Sequence, residues 1–287
     1  MDVYESLPNS LALERIEVNL FRGTTPESRG SGRIFGGQVI AQSLLAAYAT
    51  VEDRACHSLH CYFIRPGDPE IPILFEVDRA RDGGSFTTRR VTAIQHGQQI
   101  FNLAASFQVA EEGLEHQSAM PPAPRPEDLL DEFHLLQRLA ARASDEERDW
   151  LARRRPVELR WTEPESLLNG APGEPISDVW FRAREPIGDD QRMHQAIMAF
   201  ASDYSLLGTA LRPHGLQWRA PGLQAASLDH AMWFHRPTDF TRWHLYHQVS
   251  PSAQGGRGFI RGEIYREDGV LVASTAQEGL IRVHKPG

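Results

Sequence analysis

The sequence predicts an α+β fold of two tandem repeats, each a long central helix wrapped by an antiparallel β-sheet. Three observations predict it. Two segments, Phe35–Val51 and His194–Leu211, are almost free of charge and rich in Ala and Leu, the second holding Asp203 as its one charged residue. Each is followed by a run of strand-like segments separated by turn signals. The two runs then resemble each other in order and in detail.

The charge-poor segments are apolar on nearly every face, as in a helix that is buried all round or crosses a membrane. A span needs ~20 apolar residues. These are shorter and dotted with Gln, Ser and Asp, so two buried central helices and no membrane span are expected. Ser58–Ile64, Ile73–Arg79, Phe86–Gln95 and Ile100–Val109 follow the first as strands. Ala225–His235, Trp243–Val249, Phe259–Arg266 and Val270–Val283 follow the second. Pro66-Gly67, Gly83-Gly84, His96-Gly97, Arg236-Pro237, Gly255-Gly256 and Asp268-Gly269 supply the turns. Ser58-Leu59-His60 matches Ser227-Leu228-Asp229, Arg65-Pro66 matches Arg236-Pro237, and Phe86 matches Phe259, each after a glycine pair. An internal duplication accounts for this order. The repeats are placed at 1–115 and 156–287, the second carrying the chemistry. The linker 116–155 has a stiff Pro121–Pro126 stretch, a helical pattern over Glu127–Ala140 and a charge run over Asp145–Arg155. Val157, Leu159 and Trp161 alternate with polar residues and resume the strand pattern.

Composition bounds the function. The 287 residues are 41% hydrophobic, enough for a large core and unlike a disordered chain, a collagen or a disulfide-stapled mini-protein. A net charge of −8 argues against nucleic-acid binding by bulk attraction. Lys285 is the one lysine among the basic residues, a bias of the kind a GC-rich genome produces. Met1–Leu20 lacks a basic start followed by an apolar run, and His284–Gly287 is not a peroxisomal tripeptide, so a cytoplasmic location is expected. Cys56 and Cys61, five apart on one strand, are expected on opposite faces and unbridged. For the same reason Cys56, His57, His60 and Cys61 do not converge as metal ligands, and no metal or cofactor is expected. His230, His235, His244 and His247 read as packed or edge histidines.

Asp203 is the most informative residue. An unpaired buried carboxylate is costly, so it is either paired or put to use as a base or as an acceptor that holds water. The bland alternative is an Asp bonded to backbone at a helix kink near Ser202 and Ser205. Ser227 and Asp229 are expected to share one strand face, and Thr275 and Gln277 another. A buried Gln offers both donor and acceptor. Gly36 and Gly37 open the first helix, where free backbone amides could meet substrate and a developing oxyanion.

The strings Arg33-Ile34-Phe35-Gly36-Gly37-Gln38-Val39-Ile40-Ala41-Gln42, Ser58–Gly67, Leu228–Arg236 and Asp268–Gly279 resemble the two halves of the bacterial acyl-CoA thioesterase II family, double hot-dog enzymes. The resemblance implies hydrolysis of acyl-CoA to fatty acid and CoA, with Asp203, Ser227 and Gln277 falling on the family's catalytic positions. Ser227 stands where the family usually has Thr. It also implies an acyl-CoA substrate, no metal, and a homodimer or homotetramer by analogy. Two other readings remain. A hot-dog hydratase or dehydratase would need a His-containing string of the Asn-Pro-x-His kind, and no Asn-Pro occurs. A non-catalytic acyl-CoA-binding protein would have no need of Asp203 and Gln277.

Overall fold

A computed structural model describes residues 6–25, 32–131, 134–135, 137–138, 155–164, 170–218 and 220–284. Four α-helices are named here: α1 (Leu7–Ser10), α2 (Gly36–Tyr48), α3 (Gln191–Ser202) and α4 (Leu206–Leu211). The first half carries strands β1 (Leu13–Glu17), β2 (Leu20–Gly23), β3 (Ala55–Phe63), β4 (Ile73–Asp82), β5 (Phe86–Gln95) and β6 (Gln98–Gln108). The second carries β7 (Val157–Trp161), β8 (Ile176–Ala183), β9 (Leu223–Ser227), β10 (Asp229–Phe234), β11 (His244–Gln254), β12 (Arg257–Arg266) and β13 (Leu271–Val283).

Among the described residues these strands form one antiparallel sheet in the order β1-β2-β4-β5-β6-β3-β10-β13-β12-β11-β8-β7, with β9 added beside β13. The order in the second half mirrors that in the first, and the halves meet edge to edge at β3 and β10. The register there shows the duplication directly. The likeness of Ser58 to Ser227 sets an offset of 169 (227 − 58). Cys61 pairs with His230, its own match at that offset, and the flanking pairs exchange, Tyr62 with Asp229 and His60 with Ala231. A local two-fold therefore runs through the Cys61–His230 pair.

The helices α2 and α3 pack against each other inside the sheet. They run antiparallel. The start of α2 meets the end of α3, where a Cβ on Gly37 would collide with the Phe200 carbonyl oxygen. At the other ends Tyr48 donates to the side-chain oxygen of Gln195. Two buried glutamines on α2 tie their NH2 groups to backbone carbonyls. Gln38 donates to the Ser10 carbonyl at 3.0 Å and Gln42 to the Thr24 carbonyl at 2.9 Å.

Three expectations about local structure need correction. The second central helix is not continuous: α3 ends at Ser202 and α4 starts at Leu206. Ser202 turns its hydroxyl back onto the Ala199 carbonyl, 2.9 Å away. That bond competes with regular helix, and Ser and Asp favour helix ends over interiors. Cys56 and Cys61 are both buried and free on the core face. A bulge at His57 lies between the pairs Cys56–Phe107 and Ser58–Ser106, so it reverses the side-chain parity that a regular strand would keep. The strand expected over Ala225–His235 is also interrupted, at Leu228, for the same kind of reason.

The linker between the halves is in part a strap. Gln117 brackets the β12–β13 turn, donating to the Gly269 carbonyl at 2.8 Å and accepting from the Leu271 amide at 3.1 Å. Trp180 donates to the Pro124 carbonyl at 2.8 Å. Met120, Ala123 and Leu129 pack on a second, smaller core of Trp180, Trp243, Leu245, Tyr265 and Leu271. Part of the outer face of the second half is thereby covered. The helix expected from Glu127 does not start there: a 3-10 turn at Pro126–Asp128 ends in extended backbone at Leu129, and the described helical residues of the segment are 134–135 and 137–138. Phe133 and Leu136 of that pattern, and most of the charge run, lie outside the described residues.

Candidate active site

Asp203 caps the C-terminus of α3 with helical backbone angles. The location is electrostatically adverse, because the last carbonyls of a helix carry partial negative charge. Its carboxylate is held instead by three donors. Ser227 Oγ donates to Oδ1 at 3.0 Å, Gln277 Nε2 donates to the same oxygen at 2.6 Å, and the Gly37 amide donates to the carboxylate. Gln277 Nε2 also donates to Ser227 Oγ at 3.1 Å. The carboxylate fixes the orientation of the Gln277 amide, since only its NH2 end can face an anion. The carbonyl oxygen of Gln277 then points elsewhere. It is buried and accepts no hydrogen bond among the described residues.

Burial dominates the protonation of Asp203. Loss of solvent raises its pKa to about 6, against the lowering pull of Gln277, Ser227 and Gly37. That value leaves the carboxylate mostly ionised at neutral pH yet able to take up a proton, as a general base requires.

Two backbone features bring the donors together. The first is the bulge at Leu228. Ser227 pairs with Gly279 on β13, while β10 resumes in a register that sets Ala231 against Ala276. The extra residue turns Ser227 to the face that carries Gln277. Asp229 is left on the other face, its carboxylate accepting the Glu278 amide at 2.6 Å. The expectation that Ser227 and Asp229 share a face is thus overturned by one bulged residue. The second feature is the glycine pair. A Cβ on Gly36 would lie 2.5 Å from Asp203 Oδ2 and 2.8 Å from the Phe63 ring. Only bare backbone lets the start of α2 approach the carboxylate this closely. The Gly37 amide, expected to be open to an oxyanion, is committed to Asp203.

A further layer, not anticipated from the sequence, fixes the helix break. Tyr246 OH bonds Thr275 Oγ1 at 2.8 Å and donates to the Ser202 carbonyl at 3.3 Å. Gln248 donates to Ser205 Oγ at 2.5 Å and accepts from Thr209 at 2.7 Å. Thr275 was legible only as a neighbour of Gln277 on one face. Among the other histidines, His57 bonds Ser106, His235 bonds Ser274, His247 bonds Asp178, and His244 bonds both Thr238 and the Arg242 carbonyl. His60 packs edge-on against Trp233. Among the described residues no group of three His, Cys, Asp or Glu side chains is placed to hold a metal ion.

With this geometry in hand, comparison with known proteins is decisive. The family described as acyl-CoA thioesterase matches residues 148–280, and the acyl-CoA thioesterase N-terminal domain matches residues 25–108. The chain is 44% identical to human acyl-coenzyme A thioesterase 8, over 95% of this chain and 88% of that protein. The chain belongs to the acyl-CoA thioesterase family. It is 41% identical to Haemophilus influenzae acyl-CoA thioesterase 2, over 98% of each chain. It also resembles the solved acyl-CoA thioesterase II TesB2 from Mycobacterium marinum, with 44% identity, a TM-score of 0.79 and coverage of 96% and 97% of the two chains. A hot-dog-fold protein from Alicyclobacillus acidocaldarius shares the fold at 20% identity and a TM-score of 0.78, covering 99% and 100%. The family and fold that the sequence strings resembled are therefore those of the chain, and as a family member it is a thioester hydrolase. No helix among the described residues is long and apolar enough to cross a membrane.

Proposed function

We propose that this thioesterase hydrolyses fatty acyl-CoA to free fatty acid and CoA by direct attack of water, with Asp203 as general base. The observation that carries the reading is the half-buried, ionisable carboxylate of Asp203, held by Ser227, Gln277 and Gly37 at the break between two apolar helices. A water molecule has two hydrogens to give. Bound through one of them to the Asp203 carboxylate, it presents a lone pair to the thioester carbonyl, and its entropy of positioning is lost on binding rather than in the transition state. Ser227, Gly37 and the amide NH2 of Gln277 hold the carboxylate in place.

The chemistry balances without a covalent enzyme intermediate. The water oxygen bonds to the thioester carbon as Asp203 takes one proton. The tetrahedral intermediate then expels the CoA sulfur as the C–S bond breaks. Protonated Asp203, with a pKa of about 6, can return its proton to a thiolate, whose conjugate thiol has a pKa near ~8.5. Gly36 borders the reacting atoms through its closeness to Asp203 Oδ2.

The rest of the proposal is coarser. The repeats divide at 1–115 and 156–287, the second supplying Asp203, Ser227 and Gln277 and the first supplying Gly36 and Gly37. The chain works as a homodimer or homotetramer in the cytoplasm. Two free buried cysteines suit a reducing compartment, and exposed Tyr62 and Ile64 on the unstrapped half suit an interface between copies. The test is thiol release from acyl-CoAs of short to long chain, with Asp203→Asn alongside. Release by the wild type and loss of at least ~1000-fold in the variant supports the reading. A change in enoyl absorbance without thiol release indicates a hydratase. Tight binding with no turnover indicates a binding protein.

A further inference from the structure

One buried polar contact lies beside the site and is not used by the proposed chemistry. His230, 1% exposed, brings its Nε2 to within 3.0 Å of Ser202 Oγ. Ser202 is the last residue of α3 and the neighbour of Asp203. Its hydroxyl hydrogen is given to the Ala199 carbonyl, so the hydrogen in the His230 contact belongs to the ring. His230 is therefore the Nε2–H tautomer, and burial keeps the ring neutral by pushing its pKa down to about 4. Its Nδ1 accepts no bond among the described residues.

The position of His230 gives the bond to Ser202 its meaning. It is the seam residue through which the local two-fold passes, paired with Cys61, whose thiol donates to its carbonyl at 3.1 Å. It also stands two residues past the Leu228 bulge that turns Ser227 inward. The bulged segment that delivers Ser227 at the end of β9 thus also grips, from β10, the helix end that delivers Asp203.

We infer that His230 is a positioning residue for the hydrolysis, fixing Asp203 through Ser202 against Ser227 and Gln277. The helix end needs such an anchor. It is broken after Ser202, and the partial charge of its last carbonyls repels the carboxylate it carries. Release of the anchor lets Asp203 shift relative to the water it must deprotonate, and a misplacement of about 1 Å costs up to ~100-fold in rate. The substrate makes no contact with His230 in this scheme, so binding is spared. The inference rests on the proposed role of Asp203.

The test compares kcat and KM for one acyl-CoA in the wild type, His230→Phe, His230→Gln, Ser202→Ala, the His230→Phe/Ser202→Ala double variant and Asp203→Asn. Phe keeps the ring and removes both nitrogens, whereas Gln restores an N–H donor at about the reach of Nε2. Expected is a ~10- to ~100-fold fall in kcat for His230→Phe with KM within about twofold of wild type. Gln should recover most of the rate, and the double variant should be no slower than the slower single one, since both remove one contact. A kcat for His230→Phe within about threefold of wild type, or Gln no better than Phe with additive losses in the double variant, overturns the inference. If His230→Phe does not fold, Ser202→Ala decides: a kcat unchanged in it overturns the anchor. An inactive Asp203→Asn beside a fully active His230→Phe overturns the anchor alone. An active Asp203→Asn overturns the site reading itself.

Discussion

Acidification should switch the enzyme off through one carboxylate, and the size of the effect follows from its surroundings. Asp203 titrates at about 6 because burial outweighs its three hydrogen bonds. The base must be ionised, so activity is full well above pH 6 and falls as the pH drops through it. From pH 7 to pH 5 the ionised fraction falls from about 0.9 to about 0.1, a loss of about tenfold in kcat/KM. Below that the slope is one decade per pH unit. Ser227 and Gln277 both pull this pKa down, so Ser227→Ala and Gln277→Ala should move the acidic limb to higher pH while lowering its plateau. The assay is the loss of thioester absorbance at saturating and limiting substrate between pH 4.5 and 8, with circular dichroism at each pH to show an intact fold. An acidic limb near pH 4, or one that moves to lower pH in Ser227→Ala, would refute the reasoning.

Other substitutions follow from the same contacts. Gly37→Ala drives a Cβ into the Phe200 carbonyl, backbone against backbone, and should cost about 1–3 kcal/mol of stability together with most of the activity, read by thermal melts and rates. Ser227→Thr keeps the hydroxyl and should retain activity within about threefold, whereas Ser227→Ala loses a bond to a charged group, about 1.5–3 kcal/mol or roughly 10- to 150-fold in kcat. Asp203→Asn should melt at an equal or higher temperature at pH 7: a folded pKa raised from 3.8 to about 6 means that ionised Asp203 costs the fold up to about 3 kcal/mol above pH 6, a cost absent below pH 3.8. A clear drop in melting temperature would contradict that sign. Trp180→Ala should release the strap through Pro124 and cost about 3–5 kcal/mol, visible as faster proteolysis of the 116–126 segment with the site left intact.

Much of this was legible in the chain. Asp203 drew attention as the one charge in an apolar helical stretch, and the doubled order of helix and strands follows from the repeat of Ser-Leu and Arg-Pro signals. What stayed hidden depended on single-residue irregularities. A bulge at Leu228 or His57 leaves no signature in side-chain periodicity, yet each reverses which residues face the core. The helix break at Ser202, offered by the sequence only as an alternative to a continuous helix, comes from a local hydroxyl bond rather than from Gly or Pro. The strand Ile176–Ala183 was missed because Trp180, Val179 and Phe181 are buried in succession, so the alternation that marks a half-buried strand is absent. Its extra burial comes from the strap, a contact between segments 56 residues apart. The hydrogen bonds of His230 and Tyr246 are likewise tertiary, joining strands to a helix end that only the fold brings near.

The central claim is that water, not a side chain, attacks the thioester. A single turnover with enzyme in excess over acyl-CoA, run in water enriched in oxygen-18, tests it most directly. The account predicts one labelled oxygen in the fatty acid from the first turnover and none in the protein. An unlabelled first-turnover acid, with the label in the Asp203 carboxylate, would mean nucleophilic attack by Asp203 and would contradict it.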